Sequence, residues 1–240
     1  MIGAFLNALG ILLGALWGLA RREPPTAAVQ KYFQSALGAG TAFCGLQLVW
    51  LSVGGNFSAG LKQIFIAALA MVLGNWLGKI LALQKISNHF GRYAAARLGG
   101  GTTSAPKPAG DGFVATAILF CAAPLGIVGA VTDGLADYFF PLALKAVMDG
   151  LAMTSFVKLF RWPVALAAVP VFAFLNLLSL AIRLGVKPWL ETPALLSSVN
   201  AAAGLLICAT ALVVLGVRRV ELANYLPALA IAPLLTRLLN

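Results

Sequence analysis

The sequence predicts an all-α protein, a polytopic bundle of about eight transmembrane helices, or seven if one apolar run is re-entrant. Three observations carry this. Hydrophobic residues make up 61% of the 240-residue chain and charged residues only 10%, against about 25% charged in an ordinary soluble domain. Apolar runs of about 20 residues recur along the whole length, each long enough to cross roughly 30 Å of hydrocarbon. The basic residues fall between these runs, about twelve of the 17 Lys/Arg on one side of the membrane and about four on the other, as the positive-inside rule predicts. Residues 1–240 therefore read as a single integral membrane domain whose first partner is the lipid bilayer. The formal charge of +10 does not indicate nucleic acid, because the basic residues do not cluster with aromatics on a polar face.

Taken in order, Ile2 to Ala20 is apolar except for Asn7, and Arg21-Arg22 follow. A secretory signal carries its positive charge before the apolar run, so this reads as an uncleaved first span with its N-terminus outside. Tyr32 to Val53 is the second span, Asn56 to Lys62 an outer loop, and Ile64 to Leu83 the third span. Beyond it, Ile86, Phe90, Tyr93, Ala94 and Leu98 recur at helical spacing opposite Asn88, Arg92 and Arg97. That pattern predicts a cytoplasmic interfacial helix prolonging the third span. Gly99 to Asp111, rich in Gly, Pro, Ser and Thr, reads as a loop. Together they make a cytoplasmic segment at about residues 85–112. His89 reads as a surface residue near the headgroups.

Phe113 to Val131 is the fourth span, and about 20 residues from Tyr138 form the fifth. Pro163 to Ile182 is the sixth, Ala194 to Val217 the seventh, and Leu222 to Leu239 a short eighth broken by Pro227 and Pro233. The fifth and eighth are the runs most readily re-entrant. Cys44, Cys121 and Cys208 all lie inside apolar runs, with neither a disulfide-type nor a metal-type spacing, and no cofactor is expected.

There is an internal echo. Phe5-x-x-Ala8-Leu9 followed by Gly14-x-x-x-Gly18 matches Phe65-x-x-Ala68-Leu69 followed by Gly74-x-x-x-Gly78, and Phe43-Cys44 is echoed by Phe120-Cys121. The echo suggests a tandem repeat of helical hairpins. Small residues four apart let helix backbones approach closely, so the two glycine pairs read as packing faces, either within the chain or between copies. With no soluble domain present, they suggest a homo-oligomer, most simply a dimer.

The chemistry lies in and beside the fourth and fifth spans, in Thr132-Asp133-Gly134 and Lys145-Ala-Val-Met-Asp149-Gly150. An acid at membrane depth is a functional-site hypothesis by default. Lys145 and Asp149 share a helical face and can pair, and Asp149 falls roughly 13 Å into the fifth span at 1.5 Å per residue. Asp133 sits at the outward end of the fourth span, where the helix dipole is already negative. Counted together, two acids and one ammonium favour a cation or proton over an anion. Pro124 and Gly126 interrupt the fourth span and can free carbonyls as ligands, as in discontinuous transporter helices.

The chain resembles the YqgA/YdfK family of uncharacterised bacterial membrane proteins (domain of unknown function 554) over nearly its full length. The resemblance rests on Asn7-Ala-Leu-Gly10-Ile-Leu-Leu-Gly14, on Leu119-Phe-Cys-Ala-Ala-Pro-Leu-Gly126-Ile-Val-Gly129-Ala-Val-Thr-Asp133-Gly134, and on Lys145-Ala-Val-Met-Asp149. Ala203-Gly204-Leu205-Leu206 and Asn224-Tyr-Leu-Pro227-Ala-Leu belong to the same set. It departs from the family at Lys79, where an acid is frequent, and at Leu175-Asn176, where a Gln is frequent. The resemblance implies a multi-pass protein of the bacterial cytoplasmic (inner) membrane and brings no established activity.

The functional expectation is therefore a transporter or channel, not an enzyme, for a small solute. The solute is a cation or is moved with protons. Asp149, Lys145, Asp133, Thr132, Asn7 and Asn224 are the candidate binding residues. A non-transporting scaffold is the alternative. An intramembrane aspartyl protease is the minor one, since Asp133 and Asp149 lie on adjacent helices and such a dyad shares one proton across about 3 Å.

Overall fold

The computed structural model describes residues 2–21, 26–54, 57–99, 109–190 and 192–239, and there is no β-strand among them. Among the described residues ten α-helices follow one another: α1 (Ile2–Ala20), α2 (Ala27–Ser52), α3 (Phe57–Ile80), α4 (Leu83–Gly99), α5 (Ala109–Cys121), α6 (Pro124–Ala136), α7 (Phe140–Phe160), α8 (Ala168–Ala181), α9 (Pro193–Val214) and α10 (Ala228–Leu239). A 3-10 stretch, Trp162–Ala167, leads into α8, which runs on through a π-helical turn at Ile182–Val186 and a 3-10 turn at Lys187–Trp189. Another 3-10 turn, Leu222–Tyr225, precedes α10. Among the described residues seven stretches are long and apolar enough to cross a membrane, and eight if the bent pair α5–α6 is one span.

The boundaries differ from the sequence reading in three places. The fourth span, expected over Phe113–Val131 with an interruption at Pro124 and Gly126, is longer at both ends, running over α5 and α6, and is bent by 56° at that interruption. Pro124, at the first position of α6, has no N–H to continue α5, and its ring clashes with the preceding turn. The Asn56–Lys62 loop is mostly helix, since α3 begins at Phe57 and Lys62 Nζ donates to the Leu239 carbonyl at 2.8 Å. The segment expected to be an interfacial helix is a helix, α4, but it is set off from α3 by a turn at which Ala82 takes φ 54°, so it changes direction instead of prolonging the span. Of the Gly99–Asp111 loop, α5 takes the end from Ala109, and residues 100–108 lie outside the described ones.

Glycine decides which helices meet. α1 packs along α7 in parallel, Gly10 against Ala146, Gly14 against Gly150 and Gly18 against Thr154, so closely that an added Cβ would overlap the partner backbone. α2 packs antiparallel along α9, with Gly45 against Gly204, and α3 antiparallel along α10, with Gly74 against Ala228 and Gly78 against Asn224. These directions fit a chain that crosses the membrane alternately. Close backbone approach is the main attraction where lipid is as apolar as leucine. Both Gly-x-x-x-Gly faces are thus spent inside the chain, so the dimer loses its motivation. The echo between them does not extend to their partners, one parallel and one antiparallel.

Leu142, Met153, Phe160, Val171 and Leu175 form a core with Ile11 and Phe120. Leu13, Phe43, Trp50, Phe65, Trp76 and Leu177 point outward and are exposed, as suits a surface solvated by lipid.

Candidate functional site

The close approach of α1 to α7 sets up the site. Because Gly10, Gly14 and Gly150 remove side chains from that contact, the short amide of Asn7 on α1 reaches α7. Its Nδ2 donates to Asp149 Oδ2 at 2.9 Å. Lys145, one turn before Asp149, donates its Nζ to the same oxygen. All three side chains are buried, with exposures of 0% for Asn7, 2% for Lys145 and 7% for Asp149.

The rest of the Lys145 side chain is held by the broken span. A Cβ on Gly126 would stand 2.8 Å from Lys145 Cε, so the lysine lies against the first turn of α6 and needs glycine there. Its Nζ stands 5.4 Å from the centre of the Phe120 ring of α5, a cation–π distance. Among the described residues, Asp149 Oδ1 receives no hydrogen bond.

Asp149 lines a cavity of about 880 Å³. Lys85, Asn88 and Arg92 of α4 form its polar wall, Leu119 and Phe120 of α5 a second, and the break at Ala122-Ala123-Pro124 a third. At the break, Ala122 N–H still bonds the Ile118 carbonyl at 2.9 Å, and Gly126 N–H bonds the Ala123 carbonyl at 2.9 Å. Ala123, the N-cap of α6, offers no side-chain cap. The carbonyls of Leu119, Phe120 and Cys121 have no backbone partner among the described residues, as expected where a helix ends without a C-cap. A solute in the cavity would therefore meet a carboxylate oxygen, backbone carbonyls and two cationic side chains.

The structure brings together Asp149, Lys145, Asn7, Pro124 and Gly126, and it separates the other candidates from them. Asp133 is buried, at 1% exposure, but lies seven residues past Gly126, about 10 Å further along α6. Among the described residues the hydrogen-bond partners of Asp149 are Lys145 and Asn7, an arrangement that lends the shared-proton dyad of the protease alternative no support. Thr132 closes the end of α6 by donating to the carbonyls of Gly129 and Tyr138, both at 3.1 Å. Asn224 is a clamp: its Oδ1 accepts Gln84 N–H at 3.0 Å, and its Nδ2 donates to Glu221 at 2.8 Å. Gln84 Oε1 in turn accepts Ala223 N–H at 3.2 Å. These bonds fasten α4 to the turn before α10, so Thr132 and Asn224 stand outside the candidate site.

Sequence reasoning missed Lys85, Asn88 and Arg92 as part of the site, and it missed the contact with Phe120. The spacing of the first three, three and four residues apart, puts them on one stripe of α4. The sequence showed a polar face there but not what it faced.

A family model described as "Protein of unknown function (DUF554)" matches residues 2–237. The chain belongs to this family. DUF554 relatives include the uncharacterized protein YqgA of Escherichia coli (strain K12), 30% identical over 238 residues, which cover 97% of this chain and 94% of that protein. The uncharacterized membrane protein YdfK of Bacillus subtilis (strain 168) is 22% identical over 237 residues, again 97% of this chain and 94% of that protein. No solved structure matches. Membership of DUF554 agrees with a multi-pass membrane protein and carries no activity with it.

Proposed function

We propose that the chain is a proton-coupled transporter of a small solute, with Asp149 as its proton site and the cavity under α4 as the access path. One observation carries the reading: the carboxylate of a buried ion pair, Lys145–Asp149, lines a cavity of about 880 Å³ at the break of a membrane span. Pockets for small ligands run to roughly 300–1,000 Å³. A pair kept only to fix helix register needs neither the opening nor the break, and burying it costs more than well-packed apolar side chains would.

Asn7 suits a site that changes protonation. In the ionised state its Nδ2 donates to Asp149, while its own Oδ1 is buried with no partner among the described residues. Rotating the amide would offer that oxygen to a protonated Asp149. The same residue thus serves both states, and Lys145 is the group released when the carboxylate is neutralised. The α5–α6 break supplies two half-helices that can move separately, which is how discontinuous spans support alternating access.

By the positive-inside rule the α4 side is cytoplasmic, both termini are outside, and the membrane is the bacterial inner membrane. The function is transport, not catalysis. The test is proton movement into proteoliposomes holding a pH-sensitive dye, with wild type and Asp149→Asn compared under a panel of solute gradients. Asp149→Asn keeps the volume and removes the charge, so it should abolish solute-dependent proton movement while circular dichroism shows an intact fold. Equal movement from both proteins would end the proposal and favour the scaffold.

A further inference from the structure

Resting on the reading of Asp149 as the proton site, we infer that the solute carried with the proton is a small anion, and that Lys145 is the residue that binds it. The site's neighbours set its sign. Asn7 faces Asp149 from α1, Lys145 from α7, and Lys85 and Arg92 from α4 across the cavity. From α5 come Phe120 and the thiol of Cys121, which lies near enough to feel both charges of the pair. From α6 comes Gly126, against the lysine stem. Three cations surround one acid. The expectation of a cation counted Asp133 with Asp149, but Asp133 is not among the partners of Asp149.

Protonation makes the sign matter. While Asp149 is ionised it neutralises Lys145. When a proton from solution binds the carboxylate, the lysine is left charged with 2% of its surface exposed, and an unpaired buried charge is strongly unfavourable. An entering anion restores the balance: one oxygen of a carboxylate or phosphate takes the place of Asp149 Oδ2 on Lys145 Nζ. One proton and one negative charge are gained together, so a monovalent anion moves without net charge.

The path suits such a solute. Asp149 and Phe120, the two groups that Lys145 Nζ touches, both line the cavity, and its other charged lining residues are Lys85 and Arg92. A cation would have to pass two positive side chains to reach a third, whereas an anion is drawn in by the same field. The positive N-terminus of α6 at Pro124 and the negative C-terminus of α5 meet in the same cavity wall and offset each other, so the sign of the field is set by the side chains.

The experiment uses the full chain in proteoliposomes with an internal pH dye. Phosphate, succinate and glutamate are supplied as sodium, potassium and choline salts, with gluconate as the bulky control anion. The expected result is that Asp149-dependent proton entry follows the anion and ignores the cation. Lys85→Gln with Arg92→Gln, both exposed on α4, should raise the half-saturating anion concentration by about three- to tenfold. Proton entry that follows sodium or potassium, or a half-saturating concentration that falls in the rim variant, would overturn the anion and leave the proton site standing. So would proton entry with none of the anions above gluconate. If wild type and Asp149→Asn behave alike, the proton site itself is lost.

Discussion

Removing one member of the Lys145–Asp149 pair should cost far more than removing both. Lys145→Met keeps most of the side-chain volume and leaves Asp149 with Asn7 as its one hydrogen-bond partner. A buried pair broken on one side loses about 3–5 kcal/mol. Asp149→Asn leaves the ammonium over the Phe120 ring, 5.4 Å from its centre. That contact is present in wild type too, so it offsets none of the loss, and this variant should fall in the same range of about 3–5 kcal/mol. The double variant buries no charge and should lie near wild type or above it, as when apolar residues replace a buried pair. The coupling energy of the cycle, the double-variant loss less the two single losses, should then be about 6 kcal/mol or more in size, beyond the range of about 0.5–3 kcal/mol usual for residues in contact. Reversible unfolding of the four purified proteins in mixed micelles at neutral pH reads all these quantities. Single variants within about 1 kcal/mol of wild type, with coupling near zero, would refute the reasoning. The pair would then be hydrated through the cavity and worth no more than a surface ion pair.

Four further outcomes follow from the packing and the orientation. Gly14→Leu drives a side chain into the Gly150 backbone and should exceed the usual 1–3 kcal/mol of overpacking, with loss of the monodisperse peak in gel filtration. Gly91→Ala, which meets nothing within 4 Å, should be neutral. Asn224→Leu removes the bonds to Gln84 and Glu221, costs about 1–3 kcal/mol for the groups left unpaired, and should speed proteolysis at the α3–α4 turn. Ser87→Cys in a cysteine-free background lines the cavity, so a membrane-impermeant maleimide should label it in inside-out vesicles and not in right-side-out ones.

The spans were legible because the bilayer imposes one strong rule, about 20 apolar residues per crossing, and α1 runs over the Ile2–Ala20 expected of it. The break at Pro124 was legible because proline cannot donate to the helix it interrupts. The Lys145–Asp149 pair was legible because a four-residue spacing shares a face. Contacts between distant residues were not. Asn7 meets Asp149 across 142 positions, and no periodicity says that α1 will lie beside α7 and parallel to it. Asp133 was grouped with Asp149 because the two are close in sequence, whereas the hydrogen bonds of Asp149 go to Asn7 and Lys145. The cavity wall was hidden for a similar reason: where α4 points depends on the turn at Ala82 and on the Asn224 clamp, neither of which has a hydropathy signature.

The bundle is not the same height all round. The stretch from Trp162 to Trp189 has 28 residues, whereas Leu222 to Leu239 has 18. At 1.5 Å per residue these reach about 42 Å and about 27 Å, one well beyond a hydrocarbon core of roughly 30 Å and the other short of it. The long stretch packs against α1 and α6, the short one against α3 and α9. Lipids beside the first are met by tilt or local thickening, and lipids beside the second must compress, each at a fraction of a kcal/mol per Å. The annulus of lipid around this protein is therefore uneven, and acyl-chain length acts on its two flanks with opposite sign.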